Sequence, residues 1–220
     1  MNVLTLGIDD AGRGPLIGPM MLAGCVLTKA QEALLKEEGV ADSKLLSHTK
    51  RVQLAKMIET HSEAHFVVPL TPEEIDNSLN SGTNLNTLEA KAMASIINKI
   101  GKKGMKVVVD CPSVNIEAWQ KKLEFFLDEP ANFEISCEHK ADANHVSVSA
   151  ASILAKVARE NAIDKLKKEY GNFGSGYPSD PIMKDFLKIK GKELENSGIF
   201  RKTWATWKTM FPDKEQEKLF

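Results

Sequence analysis

The sequence predicts an α/β fold built around a mixed β-sheet. Two short apolar runs stand near the N-terminus, and further apolar runs then alternate with stretches whose apolar residues recur at helical spacing. With 220 residues, 42% of them apolar, the chain can bury a substantial core. We expect residues 1–180 to form the main α/β domain and residues 181–220 to form a small helical extension packed on it.

Five segments have the short apolar character of β-strands. The first two are Val3–Ile8 and Met20–Leu27, and the segment rich in glycine and proline between them predicts a turn and an antiparallel pair. The other three are His65–Leu70, Met105–Val109 and Phe133–Cys137. The sequence therefore predicts a sheet of five strands.

Helical segments separate and follow these strands. Apolar spacing predicts helices over residues 48–60 and over Leu85–Ile100. Thr71-Pro72 predicts another helix start, because it combines a hydroxyl cap with proline in the first turn. Ser149–Tyr170 predicts the longest helix, and the Gly171–Pro181 loop leads into short helical pieces at the C-terminus.

Composition excludes several classes of protein. The formal net charge of −1 does not suit a generally basic nucleic-acid-binding protein, so such contacts must come from local clusters of Lys and Arg. The three cysteines, Cys25, Cys111 and Cys137, lie too far apart for a cysteine zinc site and are odd in number, unlike a disulfide framework. No segment approaches the roughly 20 apolar residues of a membrane span. We expect a cytoplasmic protein without membrane contact.

Four aspartates are candidate metal ligands. Asp9 and Asp10 follow one predicted strand, Asp110 follows another, and Asp142 precedes the longest helix. Ligands of α/β folds gather beyond strand ends, so these carboxylates can converge. Mg²⁺ prefers carboxylate oxygens and retained waters. The structural alternative is that Asp142 caps a helix and Asp110 begins a turn.

The glycine-rich segment after the first predicted strand does not match the common phosphate-binding loops. A Walker loop needs Lys and Ser/Thr after its last glycine, but Pro19-Met20 stands there. A dinucleotide-binding loop opens a helix, whereas an apolar strand follows here. Gly12 and Gly14 instead permit a substrate to approach the main-chain amides, and Arg13 adds a charged donor for phosphate or ribose. A strained turn with a solvent-exposed Arg13 is the alternative.

Six blocks in a fixed order resemble the ribonuclease HII family, from Gly7 to about Met210. They are Gly7–Pro15 with Gly18-Pro19, Asp42–Leu46, Val107–Asp110, Glu138–Asp142 with Val148–Val157, Gly174–Asp180, and Arg201–Trp204. Ordered blocks over nearly the whole chain are far more specific than any single motif. The blocks at Glu138 and Gly174 are most similar to those of archaeal members.

The resemblance implies a ribonuclease H-like fold with a C-terminal helical extension. It also implies that Asp9, Asp10, Asp110 and Asp142 are the catalytic metal ligands and hold two Mg²⁺ or Mn²⁺ ions when substrate is bound. One ion would activate water and the other would stabilise the leaving 3′-oxygen, which would leave 5′-phosphate and 3′-hydroxyl ends.

The resemblance further implies the substrates: RNA–DNA hybrids, and duplex DNA that is cut 5′ to a single embedded ribonucleotide. The backbone at Gly12, Arg13 and Gly14, with the Tyr177 phenol, would bind the ribose. Ser43 and Lys44 would contact a neighbouring phosphate. These activities belong to ribonucleotide excision repair and primer removal. We expect a monomer.

Position 10 departs from the family pattern, which has Glu where this chain has Asp10. The aspartate side chain is one methylene shorter, and Mg²⁺ tolerates little error in its oxygen distances. An active enzyme with an altered metal preference is our hypothesis. A nucleic-acid-binding protein with weakened catalysis is the alternative, and a phosphotransferase or ATPase on the same fold is another.

The C-terminal region is basic and aromatic. Residues 184–208 contain seven Lys/Arg and three Asp/Glu, an excess of four positive charges. Trp204 and Trp207 interrupt this segment, so it either binds the duplex backbone or forms a solvated helix with buried tryptophans. Gln216-Glu217-Lys218-Leu219-Phe220 resembles a sliding-clamp-binding tail without its second aromatic residue, which predicts a weak clamp contact at most.

Overall fold

A computed structural model describes residues 4–40 and 46–212. The strands are β1 (Leu4–Ala11), β2 (Met20–Thr28), β3 (Ala64–Leu70), β4 (Lys106–Asp110) and β5 (Glu134–Glu138). The helices are α1 (Lys29–Glu37), α2 (His48–His61), α3 (Pro72–Asn80), α4 (Leu85–Ile100), α5 (Ile116–Phe125), α6 (Ala141–Asn144), α7 (Val146–Tyr170), α8 (Pro181–Lys190) and α9 (Ala205–Met210).

The five strands form one mixed sheet in the order β3-β2-β1-β4-β5. β1 pairs antiparallel with β2, whereas β1, β4 and β5 run parallel to one another. The predicted five-stranded mixed sheet and the antiparallel first pair are therefore confirmed.

Helices cover both faces of the sheet, and two strand glycines permit their close approach. A Cβ atom at Gly7 would lie 2.1 Å from the Ser147 carbonyl carbon of α7. A Cβ atom at Gly24 would lie 2.4 Å from Ile96 Cγ2 of α4. Gly24 pairs with Ile8, the neighbour of Gly7, so the two glycines lie on opposite faces. Helix α7 therefore packs on one face and α4 on the other.

Side-chain caps fix where several helices begin. Thr28 and Thr71 each accept a hydrogen bond from the backbone of the third helical residue, whose side chain accepts one in return from the cap's backbone N–H. Each pair satisfies two backbone donors that the helix itself leaves unpaired. The helix start predicted at Thr71-Pro72 is confirmed.

The chain packs into two compact units. The first contains residues up to Ala11, Met21–Pro69 and Asn86–Arg159, and so holds most of the sheet. The second contains Gly12–Met20, Leu70–Leu85 and the chain from Glu160 onward. A separate apolar core that includes Leu16, Phe173 and Trp207 stabilises the second unit. The division at residue 180 suggested by the sequence stays a prediction.

Several element boundaries differ from the predicted ones. β1 continues through Asp9 and Asp10, because both residues pair with β2 as far as Ala11 opposite Met21. β4 likewise includes Asp110, which pairs with Glu138 of β5. Sequence analysis did not identify α1, α5 and α6. Among the described helices, none has both the length and the apolar character that a membrane crossing requires.

Candidate active site

Asp9 and Asp110 lie beside each other at the same edge of the sheet. β1 and β4 run parallel, and Ile8 is the register partner of Val109, so the next residues of both strands are the two aspartates. The carboxyl ends of parallel strands open at one edge, where α/β proteins bind ligands. The structure thus brings together two of the four predicted carboxylates through strand register alone.

Asp9 and Asp110 also share the face of the sheet that α6 and α7 cover. Two residues earlier in each strand, Gly7 approaches α7 and Val108 packs with Ala141 and Val148. Side chains two residues apart on a strand share a face, which places the aspartates under the same helices. Asp110 Oδ1 accepts a 2.8 Å hydrogen bond from the Ala141 backbone N–H, which fixes this carboxylate against the start of α6.

Asp142 lies in the first turn of α6 and is buried, with 4% of its surface exposed. Its neighbour Ala141 is the residue whose backbone binds Asp110. Lys140, immediately before α6, has a positive φ of 56°, a conformation that is uncommon for a residue with a side chain. This left-handed turn leads the chain from β5 into α6.

The Asp9 carboxylate is in an unfavourable place for a negative charge. Burial, followed by the charges of Asp10 and Asp110, raises the pKa of Asp9 from 3.8 to about 8. A hydrogen bond from the Ser152 side chain lowers the pKa but does not offset these effects. Ser152 is fully buried in α7, and its Oγ accepts a 3.0 Å hydrogen bond from Lys156 Nζ. A bound cation would relieve the crowding of negative charge.

Asp10 is placed differently from Asp9. Adjacent strand residues point to opposite faces, so the Asp10 side chain leaves the sheet on the face away from Asp9. The Asp10 backbone N–H donates a 2.7 Å hydrogen bond to Asp9 Oδ1. Asp10 therefore binds Asp9 through its backbone N–H, and its negative charge raises the pKa of Asp9 more than that of Asp110 does.

Glu138 is a further acid at this edge of the sheet that sequence analysis did not single out. It is the register partner of Asp110 at the end of β5. His145 Nε2 lies 2.9 Å from Glu138 Oε2, and the Ser136 hydroxyl donates a 2.8 Å hydrogen bond to Oε1. The hydrogen bond with His145, followed by that from Ser136, lowers the pKa of Glu138.

The donor set of the four aspartates fits a hard divalent cation. Asp9, Asp10, Asp110 and Asp142 offer only oxygen, which Mg²⁺ and Mn²⁺ prefer. Across residues 4–40 and 46–212, however, no group of three or more His, Cys, Asp or Glu side chains is arranged so as to hold a metal ion. Cys25, Cys111 and Cys137 are buried free thiols.

The predicted ribose-binding residues in the second unit lie together. A Cβ atom at Gly14 would lie 3.4 Å from Tyr177 Cε1, so the Tyr177 ring packs beside this glycine. Leu16 N–H donates a 2.8 Å hydrogen bond to the carbonyl of Gly176, which joins the two loops. Gly12 has a φ of 89°, which favours glycine. Arg13 is half-buried, and 40% of the Tyr177 surface is exposed.

The loop that carries Tyr177 is held by Asp180, a residue that sequence analysis did not assign to the site. Asp180 Oδ2 accepts 2.7 Å hydrogen bonds from the backbone N–H and the hydroxyl of Ser175. Asp180 Oδ1 caps α8 by accepting from Ile182 N–H at 2.9 Å. The hydrogen bonds from Ser175 lower the pKa of Asp180. A proline after an aspartate, as at Pro181, is the sequence signal for this cap.

The aromatic part of the C-terminal basic segment is structural. Trp207 is 4% exposed and belongs to the apolar core of the second unit. Trp204 is half-buried, and its indole N–H donates a 3.2 Å hydrogen bond to the Gly14 carbonyl. Arg201 is fully buried. The structure therefore favours packing over duplex contact for these three residues.

Three predictions fall on residues outside the described ranges. Ser43 and Lys44 are not among the described residues, and neither is the C-terminal tail at residues 216–220. Their proposed contacts with a phosphate and with a sliding clamp stay predictions.

A family model and a relative of known sequence agree on the family to which this chain is similar. The family model described as Ribonuclease HII matches residues 6–207. A ribonuclease HII of Thermococcus sibiricus is 40% identical over 217 residues, which cover 96% of this chain and 93% of that protein.

Two solved structures are also similar. The ribonuclease H2 from Pyrococcus horikoshii superimposes with a TM-score of 0.86 at 36% identity and covers 94% of this chain and 97% of its own. RNase HII from Archaeoglobus fulgidus, solved in a complex with PCNA, has a TM-score of 0.82 at 35% identity, with coverages of 92% and 96%. These findings confirm the ribonuclease H-like fold. The chain belongs to the ribonuclease HII family, whose members are endonucleases with ribonuclease H activity on RNA–DNA hybrids.

Proposed function

We propose that this chain cuts duplex DNA on the 5′ side of a single embedded ribonucleotide as well as longer RNA–DNA hybrids. The products would carry 5′-phosphate and 3′-hydroxyl ends. This activity would place the chain in ribonucleotide excision repair. The observation that carries the catalytic part of the proposal is the placement of Asp9 and Asp110 side by side at the ends of two parallel strands, with Asp9 buried and Asp110 bound to the start of α6.

Asp9 and Asp110 would be the principal ligands of two divalent ions, Mg²⁺ or Mn²⁺, with Asp10 and Asp142 completing the set. When bound, such ions lower the pKa of the attacking water and stabilise negative charge on the leaving oxygen. The protein's own contribution is to hold the ligands in place. The Ser152 hydroxyl orients Asp9, and the Ala141 N–H orients Asp110.

Selection of RNA would rest on the 2′-hydroxyl, which DNA lacks. Gly12 and Gly14 leave the backbone open to close approach, and Arg13 supplies a charged donor. The exposed face of Tyr177 would pack against the sugar, and its phenol would form a hydrogen bond there. The packing of Tyr177 beside Gly14 supports a single ribose-binding surface.

Two further contacts belong to the proposal. Ser43 and Lys44 would bind a phosphate next to the scissile one. The C-terminal tail would make a weak contact with a sliding clamp, for which the complex of PCNA with the Archaeoglobus fulgidus relative gives support. The chain would act as a monomer.

The test is cleavage of two end-labelled substrates in Mg²⁺ and in Mn²⁺. One is a DNA duplex with a single ribonucleotide, and the other is a full RNA–DNA hybrid. We expect cleavage 5′ to the ribonucleotide that Asp110→Asn abolishes, while the exposed Asp164→Asn serves as a matched control that retains it. Cleavage of the hybrid alone would overturn the single-ribonucleotide proposal but leave the family activity intact.

The second candidate function is hybrid binding with weak catalysis. Asp10 favours it, because its side chain is one methylene shorter than the Glu of the family pattern and Mg²⁺ tolerates little error in its oxygen distances. Folded protein that binds the hybrid but cuts neither substrate with either metal would support this alternative.

A further inference from the structure

Arg201 is a fully buried arginine whose guanidinium group binds the glycine loop, defined as Gly12–Gly18. Nη2 donates to the Gly12 carbonyl at 2.7 Å, and Nη1 donates to the Arg13 carbonyl at 2.8 Å. Nε and Nη2 donate to the Gly18 carbonyl at 3.1 and 2.9 Å. One side chain therefore holds three backbone carbonyls from the two ends of the loop, more than 180 residues away in the sequence.

These contacts fix the direction of the neighbouring N–H groups. In a trans peptide the carbonyl and the following N–H point in opposite directions. No peptide bond of the described chain is cis. Because the Gly12 carbonyl points at Arg201, the Arg13 N–H points away from it. Because the Arg13 carbonyl also points at Arg201, the Gly14 N–H points away as well. Two successive backbone donors are thus turned outward from the buried guanidinium.

Trp204 holds the third peptide of the same run. Its indole N–H donates to the Gly14 carbonyl at 3.2 Å, and the following residue, Pro15, has no N–H. The Arg201 guanidinium carbon lies 5.0 Å from the centroid of the Trp204 ring. The two side chains therefore hold all three carbonyls from Gly12 to Gly14, and the Arg13 and Gly14 N–H groups point away from the buried guanidinium.

We propose that Arg201 is a positioning residue that aims the Arg13 and Gly14 N–H groups at the 2′-oxygen of a ribonucleotide. This inference rests on the proposed ribose-binding role of the glycine loop and adds the residue that sets its geometry. A pair of fixed donors selects for an acceptor atom, which the ribose 2′-hydroxyl provides and deoxyribose does not. Arg201 acts through the loop and does not touch the substrate.

Lysine cannot replace Arg201 in this role. The guanidinium group is planar, has five N–H donors in a fixed fork, and binds carbonyls on two sides at once. A lysine ammonium has three donors on a flexible stem, so it can bind one end of the loop but cannot hold both ends in register. Arg201→Lys therefore keeps the charge while it loosens the loop.

The experiment measures binding in EDTA, so that metal ligation and cleavage do not enter. Fluorescence anisotropy gives the Kd of wild type for a DNA duplex with one ribonucleotide and for the same duplex without it. The ratio of these two values is the ribose preference. We expect wild type to prefer the ribonucleotide duplex, Arg201→Lys to lose about tenfold of that preference, and Trp204→Phe to lose about threefold. Affinity for the all-DNA duplex should stay within about twofold.

Thr203→Val is the matched control. The Thr203 hydroxyl donates to Asp76 Oδ1 at 2.5 Å, so this variant perturbs the same segment without touching the glycine loop. It should lose stability and keep the ribose preference. Circular dichroism melting curves establish that each variant is folded. If Arg201→Lys does not fold, Trp204→Phe tests whether the held loop sets the ribose preference, because it retains an aromatic ring and removes only the donor to Gly14.

The outcomes separate this inference from the function on which it rests. If Arg201→Lys folds and keeps the wild-type ribose preference, the positioning role is overturned. If Arg201→Lys does not fold, an unaltered ribose preference in Trp204→Phe overturns it. If Arg201→Lys and Thr203→Val lose the ribose preference to the same extent, general destabilisation is the cause. That result would also overturn the positioning role of Arg201. A wild-type preference of one would overturn the ribose-binding surface itself, and this inference with it.

Discussion

Replacing Asp9 by Asn should stabilise the metal-free protein, and by more as the pH rises. Burial and then the charge of Asp10 raise the pKa of Asp9 from 3.8 to about 8. The folded protein therefore keeps a proton that the unfolded chain has released, and stability falls with pH between these two values. The stabilising contribution of protonated Asp9 is complete below pH 3.8 and is lost as the pH rises through about 8.

The size of the effect follows from this shift. A difference of about four pKa units, at about 1.4 kcal/mol each, means that ionisation of Asp9 can lower the free energy of unfolding by at most about 6 kcal/mol. Relaxation and water entry reduce such penalties, and Ser152 would donate to an amide oxygen in place of a carboxylate. We therefore expect Asp9→Asn to gain about 1–3 kcal/mol at about pH 8.5.

Urea denaturation in EDTA at about pH 5 and about pH 8.5 measures this gain by linear extrapolation. Wild type should lose stability relative to Asp9→Asn between the two pH values. The exposed Asp164→Asn serves as the control, and its difference from wild type should not change with pH. A gap between Asp9→Asn and wild type that is the same at both pH values would refute the electrostatic argument.

Three further variants test other parts of the site. Ser152→Ala removes the hydroxyl that lowers the pKa of Asp9, so the pH midpoint of Mg²⁺-induced thermal stabilisation should move upward; an unchanged or lower midpoint contradicts this. Gly7→Ala would place a methyl group 2.1 Å from the Ser147 backbone and should cost about 3 kcal/mol in urea denaturation, an expectation that wild-type stability would contradict. Asp10→Glu lengthens the side chain and should raise activity in Mg²⁺ relative to Mn²⁺. Identical Mg²⁺ and Mn²⁺ titrations for wild type and Asp10→Glu would contradict the hypothesis of an altered metal preference.

The sheet could be predicted because its strands carry strong local signals. β4 is a run of valines, and a short glycine- and proline-rich segment can only join β1 to β2 as antiparallel neighbours. The ends of strands are harder to predict, because Asp9 and Asp10 have low strand propensity. Backbone pairing with β2 overrides that propensity and extends β1 to Ala11.

Helices α1 and α5 were missed although the sequence carries their signals. Thr28 and Gln31 form a capping box at the start of α1. In α5, the buried residues Trp119 and Leu123 are four positions apart, which places them on one face of a helix. Both helices are short, and each buries only one or two side chains, so they present few apolar residues in the sequence.

The candidate carboxylates could be located from the sequence, but the residues that hold them could not. Asp9 and Asp110 stand next to apolar strands, which makes them conspicuous. The donation from Ser152 depends on which turn of α7 crosses β1, and this is set by the close approach at Gly7. Arg201 appears in the sequence as part of a basic surface segment. Only the tertiary fold places it under Gly12, 189 residues earlier.

Anomalous diffraction from crystals grown with Mn²⁺ tests the central claim most directly. If the aspartates at the edge of the sheet form the metal site, the anomalous peaks will lie within bonding distance of Asp9 and Asp110 side-chain oxygens. The principal peak will then be absent from crystals of Asp110→Asn. Manganese bound elsewhere, with no peak beside Asp9 in a protein that still cleaves RNA–DNA hybrids, would contradict the account.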